Sequence, residues 1–365
     1  MENSKLHPVQ VLTITASTTL GVSILTVQQN LTSIAKQDAW ISMILGGIIG
    51  LFAGLLIYYL SKKHSKLDLP EMTLSLAGSI IGRILLLPLA IYVPLDAGIT
   101  IRVFAQALKL FLLDRTPVSV IALLMIIVLI SVVVKGIGTI GGVVDILLPF
   151  FITTLTLLIV LSVTQFQTTN IGPVLFENTF NVVKGSLPAY GTLIGYGSIA
   201  YIMKYISEPK NVLKWFLTGF VISIILYILL TLVAVLVFGP EETQNLMFPT
   251  LFLSKSIEVA GTFFERLEAF MVIIWIPAVF TSVAVFTFAS VRNFSVLFHV
   301  KPKYQKYIAY AHIPLLYIIA QYSKSELQAL KYMHIVDYLG VSLGLVFVPL
   351  LVILTLIRNR RKKNA

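Results

Sequence analysis

The sequence predicts an all-α membrane protein whose chain crosses the bilayer about ten times, and two observations carry this prediction. Of the 365 residues, 57% are hydrophobic and only 12% are charged, whereas soluble domains carry about 25% charged residues. The apolar residues are also gathered into blocks of about 20 residues, the length at which a helix crosses about 30 Å of hydrocarbon. A single polytopic membrane domain follows, because the connecting segments are too short to hold a soluble domain.

The spans are predicted from these apolar blocks in chain order. They run roughly 8–31, 40–60, 84–112, 118–135, 141–163, 186–206, 213–238, 257–290, 305–322 and 335–357. The first block is expected to remain as a helix, because no small-residue cleavage site of a signal peptide follows it. Folded as five plus five, the spans form a first repeat over about 8–163 and a second over about 186–357.

The net charge of +11 is explained by membrane topology rather than by nucleic acid. With ten spans, most of the 27 Lys and Arg residues fall on the side of the two termini, which the positive-inside rule assigns to the cytoplasm. The basic tail over 358–365 is interpreted as a topological signal, with binding of anionic lipid as the alternative. The lipid bilayer is therefore an expected partner, and nucleic acid is not.

Catalytic chemistry is not expected from the residue types present. Cysteine is absent and the five histidines are scattered, so no disulfide, metal site or cofactor is predicted. The sequence also holds no phosphate-binding glycine loop and no plausible catalytic triad. The chain is therefore not interpreted as an enzyme.

Two interruptions lie inside apolar blocks at corresponding places of the predicted repeats. In span one the stretch TTLGVSIL (18–25) contains Gly21, Val22 and Ser23, and in span six GYGS (195–198) has the same mixture of glycine and serine. Small residues in membrane helices commonly serve close packing. Paired breaks are instead typical of transporters, where freed backbone groups bind substrate or ion near the midplane. The half-helix that follows Gly21 is expected to suit a carboxylate.

Charged residues inside predicted spans are costly in lipid and mark further candidates. Asp96 and Arg102 lie nearly two turns apart in span three, so each is expected to find its partner on another span. Glu265 and Glu268 share one face of span eight. They form either a carboxylate pair that couples to a cation or to Arg102, or an interfacial charged turn. Asp337 is expected at the outer start of span ten.

The hydroxyl groups that follow Pro277 leave two alternatives open. This proline should free a carbonyl of span eight from its helical donor. Thr281 and Ser282, one turn further on, could supply the missing hydrogen bond or could face a ligand cavity.

Four stretches resemble the B subunits of GerA-type spore germination receptors, and the resemblance covers nearly the whole chain. They are FFERLEAFMVIIWI (263–276), DYLG (337–340), FLLDRTP (111–117) and TTLGVSILT (18–26). The Glu-Arg-x-Glu run in the first of them is the most specific part. The resemblance implies membership of the amino acid–polyamine–organocation superfamily and a LeuT-like five-plus-five inverted repeat with broken helices 1 and 6. It also implies a place in the inner membrane of the bacterial spore, beside a membrane A subunit and a lipoprotein C subunit.

The same resemblance implies that a nutrient germinant, typically an amino acid, binds in a midplane pocket and triggers germination through the partner subunits, with ion release. The resemblance also implies that residues of spans one, three, six and eight line this pocket. They are Thr19, Gly21, Val22, Ser23, Asp96, Gly98, Gly195, Tyr196, Gly197, Ser198, Thr281 and Ser282. The family's position that matches Asp96 is often apolar, so this protein is expected to favour a different ligand, with an amino group near Asp96.

Three functions are compatible with these residues, because a fold does not determine a function. The first is a germinant-sensing subunit, and the second is an amino acid/cation symporter. The third is a structural scaffold with a vestigial pocket. Accumulation of labelled amino acid against a gradient would indicate the symporter, whereas a melting temperature that no nutrient changes would indicate the scaffold.

Overall fold

The computed structural model of this protein describes residues 5–175, 179–257 and 267–363 and is mainly helical. The α-helices of these ranges are, in chain order, α1 (Gln10–Leu20), α2 (Val27–Ala35), α3 (Ala39–Lys63), α4 (Leu69–Ala77), α5 (Ser79–Phe111), α6 (Val118–Lys135), α7 (Ile137–Ser162), α8 (Thr179–Thr192), α9 (Ile199–Ile202), α10 (Val212–Thr243), α11 (Pro249–Ser256), α12 (Leu267–Leu297), α13 (Gln305–Tyr322) and α14 (Glu326–Lys363). Short 3-10 turns join several of them, and within these ranges the only β pairing is an isolated bridge between Leu6 and Ile206. The predicted all-α class is confirmed.

Seven helical runs in the described ranges are long and apolar enough to cross a membrane. They are Val27–Lys63, Ser79–Phe111, Val118–Lys135, Ile137–Gln165, Val212–Thr243, Ala269–Leu297 and Glu326–Asn359. Large apolar side chains are exposed on these runs, among them Phe52, Ile80 and Phe150. Soluble proteins rarely expose apolar surface on this scale, whereas a bilayer covers it. The chain is therefore an integral membrane protein.

The structure has seven helical runs of spanning length instead of the ten predicted spans, and three segments account for the difference. Helix α13 has the length of a span, but Lys306, His312 and Gln321 make it less apolar than the others. The segments of predicted spans one and six are each divided into shorter helices. Neither of them therefore contains one continuous helix of spanning length.

The interruption predicted in the first apolar block is present. Helix α1 ends at Leu20, Gly21 leaves the helical conformation with φ 18° and ψ −138°, and a 3-10 turn over Ser23–Leu25 precedes α2. The interruption predicted in the sixth block is present as well. There α8 ends at Thr192, and a 3-10 turn over Ile194–Ser198 leads into α9.

The two interruptions lie directly against each other. A Cβ on Gly195 would overlap the backbone of Thr18 and Thr19, so only glycine allows the two chain segments to come this close. The Thr18 hydroxyl also donates a hydrogen bond to the carbonyl of Gly195 over 3.0 Å. Close packing, one of the two interpretations of these small residues, is therefore part of the role of Gly195.

Helix bounds differ from the predicted spans mainly near the C-terminal end. Helix α14 begins at Glu326 rather than near residue 335, and it stays helical through much of the predicted tail, to Lys363. Asp337 consequently lies about three turns inside the helix instead of at its start. Helix α12 likewise continues to Leu297, beyond the predicted end near residue 290.

Candidate functional site

A polar cavity lies beside the interruption between α1 and α2. The volume open to the centre of a water molecule is about 40 Å³, which is room for about three water molecules. Its walls come from both interruptions and from helices α5, α8, α12 and α14. The lining residues are Thr18, Thr19, Gly21, Val22, Ser23, Tyr92, Asp96, Thr100, Gly191, Thr192, Ile194, Gly195, Ser282, Phe286 and Asp337. The residues of the predicted pocket among them are Thr19, Gly21, Val22, Ser23, Asp96, Gly195 and Ser282.

Carbonyl groups freed at the first interruption are hydrogen-bonded by side chains of other helices. Tyr227 on α10 donates to the carbonyl of Thr19 over 2.8 Å, and Trp275 on α12 donates to that of Gly21 over 3.3 Å. Inside a bilayer each such group needs a partner within the protein. The broken backbone is thus held on its carbonyl side by the protein itself.

Backbone N–H groups at the same interruption remain free. Those of Val22, Ser23 and Ile24 have no acceptor among the described residues, and Val22 and Ser23 line the cavity. They open the 3-10 turn over Ser23–Leu25 that leads into α2, where N–H groups without a helical acceptor carry partial positive charge. Free N–H groups in this position are suitable partners for a carboxylate.

Hydroxyl groups of the lining differ in whether they have partners. Thr19 donates to a carbonyl of its own helix over 2.7 Å. Ser282 on α12 is 2% exposed, lies beside Gly21, and makes no hydrogen bond with the described residues. Thr281 instead pairs with the hydroxyl of Ser17 at 2.7 Å and does not line the cavity. Ser282 is therefore the hydroxyl that this arrangement leaves for a ligand.

Two carboxylates face the cavity, from α5 and from α14. Asp96 and Asp337 both line it, and neither makes a hydrogen bond or an ion pair with a described residue, so the partner expected for Asp96 on another span is not found in this part of the chain. Among the described residues, no lysine, arginine or histidine belongs to the lining. The prediction that Asp337 lies at the outer start of its helix is wrong, because α14 begins about three turns earlier.

An apolar cavity adjoins the polar one. Its volume open to the centre of a water molecule is about 80 Å³, and Tyr92, Ile194 and Phe286 line both cavities. The predicted pocket residues that line this second cavity are Tyr196, Gly197 and Ser198. A ligand with a polar head and a short apolar chain would find matching surroundings across the two cavities.

Other residues singled out in the sequence lie away from the cavity. A Cβ on Gly98 would overlap a side chain of α13, so this glycine serves the packing of α13 on α5 and does not line the pocket. Arg102 donates to Gln321 on α13 over 3.4 Å, which gives it a partner on another span as expected. Glu265 lies outside the described residues, as does the side chain of Glu268. Their role as a carboxylate pair stays a prediction.

A buried ion cluster, formed by Asp68, Glu71, Lys204 and Arg292, was not predicted. Asp68 and Glu71 form a capping box at the start of α4, in which each carboxylate accepts the other residue's backbone N–H. Arg292 on α12 donates to Asp68 over 2.6 Å and to Glu71 over 2.7 Å, and Lys204 donates to Glu71 over 2.8 Å. Burial acts to raise the pKa of Glu71, but hydrogen bonds from Lys204 and the Asp68 backbone and the charges of Lys204 and Arg292 outweigh it and lower the pKa below its ordinary value.

Comparison with known proteins agrees with the resemblance noted from the sequence. The model of the spore permease family, described as spore germination protein, matches residues 5–329. The chain is 31% identical over 304 residues to spore germination protein A2 of Bacillus subtilis (strain 168), which covers 82% of each chain. It is 25% identical over 352 residues to spore germination protein B2 of the same organism, covering 96% of this chain and 93% of that one. It is 24% identical over 324 residues to spore germination protein YndE, also of that organism, covering 88% of each. The chain belongs to the spore permease family of spore germination proteins.

Proposed function

We propose that this protein is the nutrient-sensing membrane subunit of a spore germination receptor and that it binds a small amino acid in the polar cavity. The observation that carries the proposal is the combination found there. Free backbone N–H groups at an interrupted helix and two carboxylates, neither with a partner among the described residues, line one cavity. An amino acid carries the two groups that complement them, a carboxylate and an ammonium.

The bound pose follows from the chemistry of the walls. The ligand carboxylate accepts hydrogen bonds from the N–H groups of Val22, Ser23 and Ile24, and the Ser282 hydroxyl completes its surroundings. The ammonium group lies toward Asp96 and Asp337. The side chain extends toward the adjoining apolar cavity, whose size then limits its length.

The proposal includes the architecture implied by the family resemblance. The chain is folded as a LeuT-like five-plus-five inverted repeat of ten membrane segments, in which the interrupted segments one and six correspond. Ligand binding favours one arrangement of the two halves. The membrane A subunit and the lipoprotein C subunit respond to that arrangement, and ion release follows. The complex lies in the inner membrane of the spore with both termini of this chain in the cytoplasm.

Replacing Gly21 by leucine tests the site. A Cβ at this position already meets the Ser282 hydroxyl at 3.0 Å, so a leucine side chain would fill the polar cavity. We expect Gly21→Leu to lower the affinity for the amino acid by about 100-fold or more and to abolish the germination response. Spore germination assays measure the loss of the response. Co-purification of the receptor subunits measures assembly, which should be unchanged.

Gly142→Leu is the matched control, since no atom lies within 4 Å of a Cβ at that position of α7. It should respond like the wild type. A normal response of Gly21→Leu would refute the pocket. Accumulation of labelled amino acid against a gradient by the purified chain in liposomes would assign symport instead. If no amino acid changes the melting temperature of the receptor complex, the structural scaffold is the better account.

A further inference from the structure

The polar cavity carries more negative charge than the single ammonium group of a neutral amino acid can compensate. Asp96 and Asp337 contribute two carboxylates, and no basic side chain in the described part of the chain lines the cavity. A zwitterionic amino acid would add one ammonium and a third carboxylate. Charges in a dry site are costly unless each has a partner. One carboxyl group of the protein would then lack a counter-charge and would have to take up a proton to stay buried.

A second, independent observation shows that the walls are arranged for a ligand. Ser282 is buried, with 2% of the residue exposed, and its hydroxyl lies beside Gly21 at the cavity without a hydrogen-bond partner in the described chain. Tyr92 is also buried and lines the cavity, and its hydroxyl forms no hydrogen bond with a described residue. Buried hydroxyls are normally paired, so a ligand or ordered water belongs next to them.

The surroundings favour an organic ammonium group over a metal ion. Ca²⁺ takes about six to eight oxygen ligands and Mg²⁺ about six, whereas the aromatic rings of Tyr92 and Phe286 occupy part of this wall. Such rings attract ammonium groups through the cation–π interaction. The apolar cavity beyond the same two residues offers space for a carbon chain.

We propose that the cavity selects an amino acid with a second amino group, and this inference rests on the proposed function. Such a ligand carries two ammonium groups and one carboxylate. The two ammonium groups match Asp96 and Asp337, and the carboxylate matches the free N–H groups that begin at Val22. Every charge of ligand and cavity then has a partner.

Ligands of equal shape and different charge test the inference. Norvaline has the heavy-atom skeleton of 2,4-diaminobutyrate with a methyl group in place of the second amino group, and norleucine stands in the same relation to ornithine. The full chain, purified in lipid nanodiscs, is titrated with each ligand at pH 7, and affinity is obtained from calorimetry and from the melting temperature. We expect each diamino acid to bind about tenfold or more tightly than its neutral counterpart.

The two carboxylates are then removed one at a time. Asp96→Asn and Asp337→Asn should each reduce the preference for 2,4-diaminobutyrate over norvaline by about tenfold. Both variants should melt no lower than the wild type, because each loses a buried carboxylate without a partner. Asp114→Asn, at an exposed position after α5, is the control and should keep the wild-type preference.

The outcomes separate this inference from the function on which it rests. If norvaline binds as tightly as 2,4-diaminobutyrate, the inference is overturned while the amino acid site stands. If sodium or potassium ions raise the melting temperature and both Asp variants abolish that effect, an inorganic cation occupies the cavity and the inference also fails. If no amino acid of either charge binds, the proposed function itself is refuted.

Discussion

Gly195 is the residue on which the contact between the two interruptions depends. A Cβ at this position would overlap the backbone of Thr18 and Thr19, and backbone atoms cannot rotate away as a side chain can. We expect Gly195→Ala to lower the free energy of unfolding by about 1–3 kcal/mol, the usual cost of overpacking. Thermal unfolding of the purified protein in detergent measures it.

Gly197 provides the matched control two residues away. No described atom lies within 4 Å of a Cβ at this position. Gly197→Ala should therefore change the free energy of unfolding by less than about 0.5 kcal/mol and leave the melting temperature almost unchanged. Equal melting temperatures for the Gly195 and Gly197 variants would show that the two interruptions are not in close contact.

Single residues show what the sequence could predict of the site and what it could not. Gly21 and Ser23 were found because polar and small residues stand out in an apolar block. Gly98 was placed in the pocket, yet it faces α13, since a glycine in a membrane helix looks the same whether it faces a ligand or a neighbour.

Asp337 is predicted outside the pocket because its depth depends on where α14 begins, and the prediction starts this span near residue 335. Ser325 and Gln328 have the spacing of a capping box, and the Gln328 N–H donates to the Ser325 hydroxyl over 3.2 Å, so the sequence does hold a signal for the earlier start.

At the scale of elements, the ion cluster connects α4, α12 and the end of the sixth segment. Arg292 is 2% exposed and Asp68 is fully buried, so removal of the guanidinium leaves a buried carboxylate with fewer partners. We expect Arg292→Gln to lower the free energy of unfolding by about 3–5 kcal/mol. Chemical unfolding followed by tryptophan fluorescence, with Trp275 fully buried in α12, measures this loss.

The control for this substitution is Arg115→Gln, at an exposed position between α5 and α6, which should change stability by less than about 0.5 kcal/mol. In the double variant with Asp68→Asn, the loss of unfolding free energy should be smaller than the sum of the two single losses. The reason is that each single substitution leaves the other charge buried without its partner, whereas the double variant removes both charges. Additive losses would mean that Arg292 and Asp68 do not interact.

The ion cluster was missed for an identifiable reason. Lys204 and Arg292 contribute to the sequence analysis only through the total count of Lys and Arg residues, since their partners are far away in the sequence. The start of α4 can be predicted from the sequence, because Asp68 and Glu71 have the spacing of a capping box. That spacing shows where a helix begins, but it does not show which basic residues of other helices will surround it.

At the scale of the whole molecule, composition was enough for the class of protein but not for the number of membrane crossings. Apolar blocks predict helices in lipid, and the described helices follow most of those blocks closely. The difference between seven continuous runs and ten predicted segments comes from the two interrupted segments and the polar α13. Whether these three also cross the membrane decides the topology, because an odd number of crossings places the two ends of the chain on opposite sides.

Cysteine labelling decides the number of crossings, and the chain suits it because it contains no cysteine. With ten crossings and basic loops inside, Lys5→Cys, Lys303→Cys and Arg358→Cys should react with a membrane-impermeant maleimide only after right-side-out vesicles are permeabilised. Glu241→Cys, at an exposed position near the end of α10, should react in intact vesicles. The wild-type chain is the control and should give no signal. Seven crossings would instead leave either residue 5 or residue 358 reactive from outside, and labelling of one end alone would therefore exclude the five-plus-five arrangement on which the proposed site depends.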